Sequence, residues 1–267
     1  MALSEQQCAF FETFGFLVFR GMVAEDLPWI NEGFAEIFAN REHDGTRRTT
    51  AGTDTSEKLC RLLDHPKVLE VATSLLGDDF NYLGGDANFY VGDTWWHSDG
   101  WHDIGQFVKM AFYLDPVGPD TGCLRVIPGS HSIGNDWVDR VRRVGQAEAK
   151  LGIPPHEVPA FALESHPGDV VVFNHNLQHA AFGGNSRRRM FTLNLSRRAE
   201  SAAEVQELRN FINSNARFWV PQSHSDVMRQ TASPARMRHL AQVIENEDEL
   251  PEMVRQAKLT MSEPANG

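Results

Sequence analysis

The sequence has no long hydrophobic run, no internal repeat and few cysteines, and each absence removes a class of protein. No apolar stretch approaches the roughly 20 residues that cross a bilayer, and no basic segment leading into an apolar run opens the chain. A soluble, cytoplasmic protein without a membrane partner is expected. The three cysteines, Cys8, Cys60 and Cys123, are odd in number and widely spaced, which suits buried reduced thiols better than a disulfide framework. Positive charge is short as well. With 25 Lys and Arg against 36 Asp and Glu, the formal net charge of -11 leaves no phosphate-binding surface over the whole protein, so nucleic acid is not an expected partner. Local arginine clusters can still bind anions. No low-complexity block marks a linker, and 267 residues suit one sandwich or barrel unit, so a single domain over 1–267 is expected.

What the chain does have is a helical start, a strand-rich centre and a helical end. Ser4-Glu5-Gln6-Gln7 has the spacing of a capping box and Gly15 stands where a helix C-cap would, which predicts a helix over Glu5 to Phe14 followed by a strand at Phe16-Leu17-Val18-Phe19. Asp26 is placed to cap a second helix, with Pro28 in its first turn and Leu27, Ile30, Phe34, Ile37 and Phe38 as an apolar stripe that should cover a sheet. From Arg41 to Lys58 the periodicity lapses and a long polar loop is expected, a candidate lid of a substrate entrance, with a solvated surface loop as the equal alternative. Helical spacing returns from Leu59 to Leu76.

Asn81 to Tyr90, Gln106 to Leu114 and Leu124 to Ile127 read as strands, and the turn-rich Asp115–Gly122 stretch should reverse the chain. Pro167-Gly168-Asp169 opens another strand, Val170 to Phe173. The excursion from Ser132 to His166, helical around Trp137–Arg143, is expected to pack over the mouth of the barrel. Short strands preceded by helices predict a mainly β fold with flanking helices, a double-stranded β-helix or cupin-like jelly roll. Its core should span about 80–198, supported by helices in 1–79 and extended by helices in 199–267, the candidate surface for a homodimer.

The chemistry centres on Trp95-Trp96-His97-Ser98-Asp99-Gly100. In an extended segment alternate side chains point the same way, so His97 and Asp99 face one site. Alone, such a pair is most simply a polar cluster. A second histidine from a distant strand would complete two imidazoles and one carboxylate, a set that leaves open positions for non-heme Fe(II) oxygen chemistry. His179 is the best candidate, because it is followed by Gly183-Gly184-Asn185 and by Arg187-Arg188-Arg189 opening a strand. An arginine there can grip a dicarboxylate through two parallel hydrogen bonds, the geometry 2-oxoglutarate needs. His175 shares parity with His179 and is the alternative ligand.

These pieces, with Phe14–Gly21, the Gly122–His131 run, Pro167-Gly168-Asp169-Val170-Val171 and Arg188-Arg189, resemble the phytanoyl-CoA dioxygenase family of Fe(II)/2-oxoglutarate oxygenases from about Phe11 to Ser196. The resemblance implies Fe(II) held by His97, Asp99 and His179, with 2-oxoglutarate and dioxygen as co-substrates. It also implies release of succinate and CO2 and oxidation, by hydroxylation, of an unactivated C–H bond. Because relatives that halogenate have a small residue in place of the carboxylate, Asp99 favours oxygenation.

Matching the family's Arg-Arg-apolar-apolar strand selects Arg188 as the 2-oxoglutarate anchor. Alternation agrees, since Arg188, Met190, Thr192 and Asn194 share one face while Arg189, Phe191, Leu193 and Leu195 share a packing face. Arg189 stays the runner-up, because a slip of one residue reverses every side chain, and Arg187 is read as solvated. Asn88, Lys109 and Thr192 are further candidate contacts to co-substrate or substrate, with Tyr113 beside Lys109. His102 is placed to border the pocket, His131 to act as a hydrogen-bonding support, and Trp95 and Trp96 to pack. No basic cluster is placed for a CoA phosphate, so the expected substrate is a small polar metabolite. The alternatives are a non-catalytic metal-binding jelly-roll protein and a metal-dependent isomerase or hydrolase that uses no oxidant.

Overall fold

The computed structural model describes residues 2–39, 47–49, 52–89, 91–185 and 188–265. Eleven strands lie among them: β1 (Phe16–Phe19), β2 (Arg47–Thr49), β3 (Asn81–Tyr82), β4 (Ala87–Phe89), β5 (Thr94–His97), β6 (Phe107–Tyr113), β7 (Leu124–Val126), β8 (Phe161–Leu163), β9 (Val170–Asn174), β10 (His179–Ala181) and β11 (Arg189–Ser196). They form two antiparallel sheets. The larger runs β1-β9-β6-β11-β4-β2, with β3 also on β11, and the smaller runs β5-β10-β7-β8.

Alternation in the long strands explains why the sheets face each other. On one face of the large sheet, Val108, Met110 and Phe112 of β6, Val170 and Val172 of β9, and Phe191, Leu193 and Leu195 of β11 are buried with Ile30, Phe34, Ile37, Val68 and Leu240 from the helices. On the other, Ala111, Tyr113, Val171 and Phe173 are buried against Leu124, Val126 and Leu163 of the small sheet. A strand covered on both faces reads as a continuous apolar run, which is why Val170-Val171-Val172-Phe173 carries no polar residue. Each of its fully buried side chains contributes about 1.5–3 kcal/mol. The result is a jelly roll with helices on the outer face of its larger sheet.

The first helix, Glu5–Phe14, has both halves of the Ser4/Gln7 capping box and Gly15 in the left-handed conformation. The second, Leu27–Phe38, buries the predicted stripe, but Asp26 does not cap it. A 3-10 turn over Ala24–Asp26 puts Asp26 in helical backbone geometry, and its carboxylate instead accepts hydrogen bonds from the Trp29 indole and the His65 ring. The Asn81–Tyr90 run is two short strands. Between them, Leu83, Gly84 and Asp86 still bond to β11, and Tyr90 lies outside the described residues.

Within the polar stretch 41–58, the described residues form more regular structure than its composition suggested. Residues 40–46, 50 and 51 lie outside those described, but Arg47–Thr49 pairs with β4, and a 3-10 turn over Thr53–Thr55 leads into the helix Glu57–Cys60. Thr53 and Asp54 are buried because they bond across the fold: the Thr53 hydroxyl donates to the Thr192 carbonyl, and the Asp54 carboxylate accepts from the Ser225 amide. The excursion 132–166 also departs from expectation. It packs Val144, Ala147 and Val158 against Trp96, Ala180 and Phe182 on the outer face of the small sheet, away from the barrel mouth. His97 and His179 point inward, so their neighbours Trp96 and Ala180 must point outward and need cover. From this segment Arg142 reaches Trp101, with its guanidinium carbon 3.3 Å from the ring centre.

The C-terminal helices Ala202–Ser214, Pro234–Glu245 and Leu250–Thr260 close one end of the sandwich around Leu83 and Phe107. Gln242 ties them to the sheet: its side-chain oxygen accepts from Asn81 and from the Ala199 amide, and its NH2 donates to the Ala199 carbonyl. Cys8, Cys60 and Cys123 are free thiols, and no helix among the described residues is long and apolar enough to cross a membrane.

Asp169, the acid of the Pro-Gly-Asp turn, is a fastener between β1 and β9. Its carboxylate accepts from the Gly21 amide (2.7 Å), the His166 amide (2.9 Å) and Arg20 (2.7 Å). Burial alone would raise its pKa, but these donors outweigh it and hold the carboxyl below the ordinary range. A depressed carboxylate stabilises the fold above the unfolded-state pKa of about 3.9 and loses that contribution as pH falls through the folded value. Asp169→Asn is therefore expected to cost about 1.5–3 kcal/mol in urea unfolding at pH 7. The gap from the parent protein should begin to shrink as pH falls below about 4 and close as pH falls through the parent's depressed value. A gap that is constant with pH would assign the loss to packing.

Candidate metal centre

β5 and β10 are neighbours in the small sheet, and their register sets His179 directly opposite His97. Asp99 follows β5 in a turn whose amide donates to the His175 carbonyl, 2.9 Å away. Two segments far apart in sequence thereby meet: ligand atoms of His97, Asp99 and His179 all lie within 4.8 Å of one another. The His97 Nε2 is 3.9 Å from Asp99 Oδ1, and the His179 Nε2 is 3.8 Å from Asp99 Oδ2.

The donor set fits a divalent metal in its details. His97 Nδ1 donates to the Trp95 carbonyl (2.6 Å) and His179 Nδ1 to the Leu177 carbonyl (2.8 Å). That fixes each ring in the tautomer whose Nε2 lone pair faces the other ligands. Asp99 Oδ2 is buried and has no hydrogen-bond donor. Burial pushes the His179 pKa down to about 3, aided by His97 and opposed by Asp99, so the ring is neutral and able to ligate at physiological pH. For Asp99, burial acts upward, but Lys109 and the surrounding imidazoles hold the carboxyl far below its ordinary value. Two imidazoles and one carboxylate on one side of an ion leave positions open for a chelating ligand.

Two cavities meet here. One, of about 70 Å³, is lined by His97, Asp99, His179, Asn88, Lys109, Tyr113, Arg188, Met190 and Thr192. Arg188 enters it just before β11 and is 5% exposed. Its guanidinium donates to the carbonyls of Val91 (2.9 Å), Gly92 (3.0 Å) and Gly122 (3.2 Å). Two glycines make room for it. A β-carbon on Gly122 would lie 3.0 Å from Arg188 Cδ, and one on Gly184 2.7 Å from Cζ. Arg189 points the other way, onto Asp115, with Nη2 2.8 Å from Oδ1 and Nε 3.0 Å from Oδ2. Arg187 lies outside the described residues.

The remaining candidates are arranged around a residue the sequence reading passed over. Asp86 accepts the Thr192 hydroxyl on Oδ1 (2.7 Å) and the Asn88 amide on Oδ2 (3.0 Å). Lys109 Nζ stands 4.0 Å from Asp86 and 2.9 Å from Asp99, bridging the two acids. The available signal was parity, since Asp86 and Asn88 sit two residues apart before the metal motif. His102 does not border this cavity. It stacks on Phe107 at 3.6 Å, hydrogen-bonds Glu207 through Nδ1 (2.7 Å), and lines a separate cavity with His131. His131 holds the first helix through the Glu12 carbonyl. Trp96 is buried, whereas Trp95 is 61% exposed.

The second cavity, about 130 Å³, shares Asp86, Asp99 and Lys109 with the first, and adds His175, Asn194 and residues of the C-terminal segment from Phe211 to Ser223. His175 is 1% exposed, and neither ring nitrogen has a hydrogen-bond partner.

Comparison with known proteins identifies the fold and the family. A curated protein, ectoine dioxygenase of Sphingopyxis alaskensis, is 28% identical over 151 residues, 48% of this chain and 49% of the relative. The match thus spans about half the length of that relative. Among solved structures, HygX from Streptomyces hygroscopicus with nickel and 2-oxoglutarate bound superposes with a TM-score of 0.58 at 18% identity, over 76% of this chain and 94% of that one. The non-heme α-ketoglutarate-dependent epimerase SnoN of nogalamycin biosynthesis does so with a TM-score of 0.57 at 16% identity, over 75% and 87%. At these identities the superpositions establish the fold. The sequence profile described as Phytanoyl-CoA dioxygenase (PhyH) matches residues 11–190, two thirds of the chain, from the first helix through the metal-donor cluster to the start of β11. The chain belongs to the phytanoyl-CoA dioxygenase family of Fe(II)/2-oxoglutarate oxygenases.

Proposed function

We propose that this protein is an Fe(II)/2-oxoglutarate-dependent dioxygenase that hydroxylates an unactivated C–H bond of a small polar metabolite, with release of succinate and CO2. The observation that carries the reading is the sharing of one cavity by a His-Asp-His donor cluster and a carbonyl-cradled arginine. His97, Asp99 and His179 would hold Fe(II), which supplies the dioxygen activation and oxidising power that no side chain has. Arg188 would bind the distal carboxylate of 2-oxoglutarate in a bidentate contact, orienting its 2-oxo acid end toward the three ligands.

The protein's own part is binding, orientation and exclusion of water. Lys109 keeps Asp99 ionised and fixed, Asp86 positions Asn88 and Thr192 on the cavity wall, and Tyr113, Phe173 and Met190 keep the co-substrate side apolar. The fold also hosts epimerisation, as in SnoN; the Asp99 carboxylate favours oxygenation over halogenation, and mass spectrometry of the product separates hydroxylation from epimerisation. A homodimer through the C-terminal helical extension belongs to the same reading, and sedimentation equilibrium would detect it.

Anaerobic addition of Fe(II) and then 2-oxoglutarate should produce the weak visible absorption of the iron chelate. Admission of air should then give slow succinate formation even without substrate. A metal-binding protein without turnover, or an isomerase or hydrolase that uses no oxidant, would consume no 2-oxoglutarate. Folded, iron-loaded protein that gives neither the absorption nor succinate would reject the proposal.

A further inference from the structure

The second cavity holds buried polar groups that the co-substrate reading does not use. His175 is sealed from solvent, with Nδ1 and Nε2 both lacking partners, and Asn194 Oδ1 and Ser223 Oγ on the same wall are buried and equally unpartnered. Burying such groups without hydrogen bonds is costly, so a native structure keeps them where something fills the space between them. A neutral imidazole offers one donor and one acceptor, and Asn194 Oδ1 offers an acceptor. The groups that satisfy both kinds of site from one atom are hydroxyls and amines.

Charge around the cavity adds a second constraint. Lys109 is engaged by Asp99 and stands near Asp86, whereas Arg217, on the exposed rim, makes no ion pair among the described residues and has its guanidinium carbon 4.6 Å from the Phe218 ring centre. Arg217 is therefore a rim cation with no carboxylate of its own among the described residues, while the deeper Asp86 and Asp99 share Lys109. Size is the third constraint. At about 130 Å³ the cavity falls below the roughly 300–1,000 Å³ typical of drug-sized ligands, so it suits a compact molecule. The wall from Phe211 to Ser223 follows the span shared with the family, which ends at residue 190, so these contacts belong to this chain's own C-terminal segment.

We infer that this cavity is the substrate pocket and that it selects a compact oxyanion, a carboxylate or phosphonate bearing hydroxyl or amino groups. Arg217 takes the oxyanion, and His175 and Asn194 take the hydroxyl or amine that holds the molecule beside Asp99. The inference rests on the reading of His97, Asp99 and His179 as the iron site.

The test uses the full chain as its anaerobic Fe(II)/2-oxoglutarate complex. The panel consists of small hydroxy and amino carboxylates and phosphonates, each paired with its neutral amide or ester, together with one acyl-CoA thioester. Binding is read by calorimetry and by perturbation of the chelate absorption, and coupling by stimulated succinate formation. At least one acid should bind about 10- to 100-fold more tightly than its neutral partner. Arg217→Gln should erase that preference, and Arg217→Lys should retain part of it. Equal binding of acid and neutral forms, a preference that survives Arg217→Gln, or engagement of the thioester alone would each overturn the inference. So would an entirely silent panel in protein whose chelate absorption forms normally, a result that leaves the iron site standing. Loss of the chelate absorption itself in the parent protein would instead remove the iron-site reading, and this inference with it.

Discussion

Arg188→Ala should raise the 2-oxoglutarate requirement by about two to three and a half orders of magnitude, because removing one partner of a buried charge pair costs about 3–5 kcal/mol and each 1.4 kcal/mol is tenfold. The side chain is held in place before any ligand arrives, by three carbonyls and by the gaps left at Gly122 and Gly184, so little ordering remains for binding to supply. Arg188→Lys should fall between the parent and the alanine variant, since it keeps a charge but loses the planar fork. Arg189→Ala, which removes a half-buried pair with Asp115 on the opposite face, should lower stability by up to about 1 kcal/mol and leave the requirement near that of the parent. Initial rates of succinate formation against 2-oxoglutarate concentration make the comparison, with iron content and melting temperature checked in every variant. If Arg189→Ala is the severe change and Arg188→Ala binds normally, the anchor is misassigned, and the pocket roles of Thr192 and Asn194 fall with it.

Asp99→Ala should reduce iron retained after anaerobic loading and desalting to background, together with the chelate absorption and succinate formation. It removes one of three ligands and also the carboxylate that Lys109 approaches at 2.9 Å, leaving an ammonium beside the vacated position to repel the cation. His179→Gln should lose iron in the same way. His175→Gln should keep it, because that ring lies on the other cavity and outside the ligand cluster. Iron lost from His175→Gln and retained by His179→Gln would exchange the two histidines. Metal analysis alone decides this, independently of any substrate.

These expectations divide by how they could be known. The sequence by itself determined what depends on neighbours along the chain. The period of two in Thr94–His97 turns the His97 imidazole inward, where Asp99 joins it from the turn that follows, and the period of two in 188–195 separates a polar face from the Phe191, Leu193 and Leu195 packing face. Capping at Ser4 and Gly15 and the stripe of Leu27–Phe38 are equally local, and they read correctly for that reason. The order of short motifs identified the family, and with it the most economical partner for His97.

Tertiary structure alone decided which of these local faces meet. Asp26 lost its cap to a 3-10 turn and two side-chain partners, and the excursion 132–166 went to the outside of the small sheet because Trp96 and Ala180, turned outward by the inward histidines, needed covering. Asp86 with Thr192, the Lys109 bridge to Asp99, the Gly122 gap around Arg188, and the closure of His175 behind Phe211–Ser223 join residues that are from about ten to more than a hundred positions apart. No period along the chain encodes such meetings. Strand order and the path of the C-terminal helices set them, and both follow from burying the two faces of one sheet at once, a condition satisfied by the whole fold and by no segment of it.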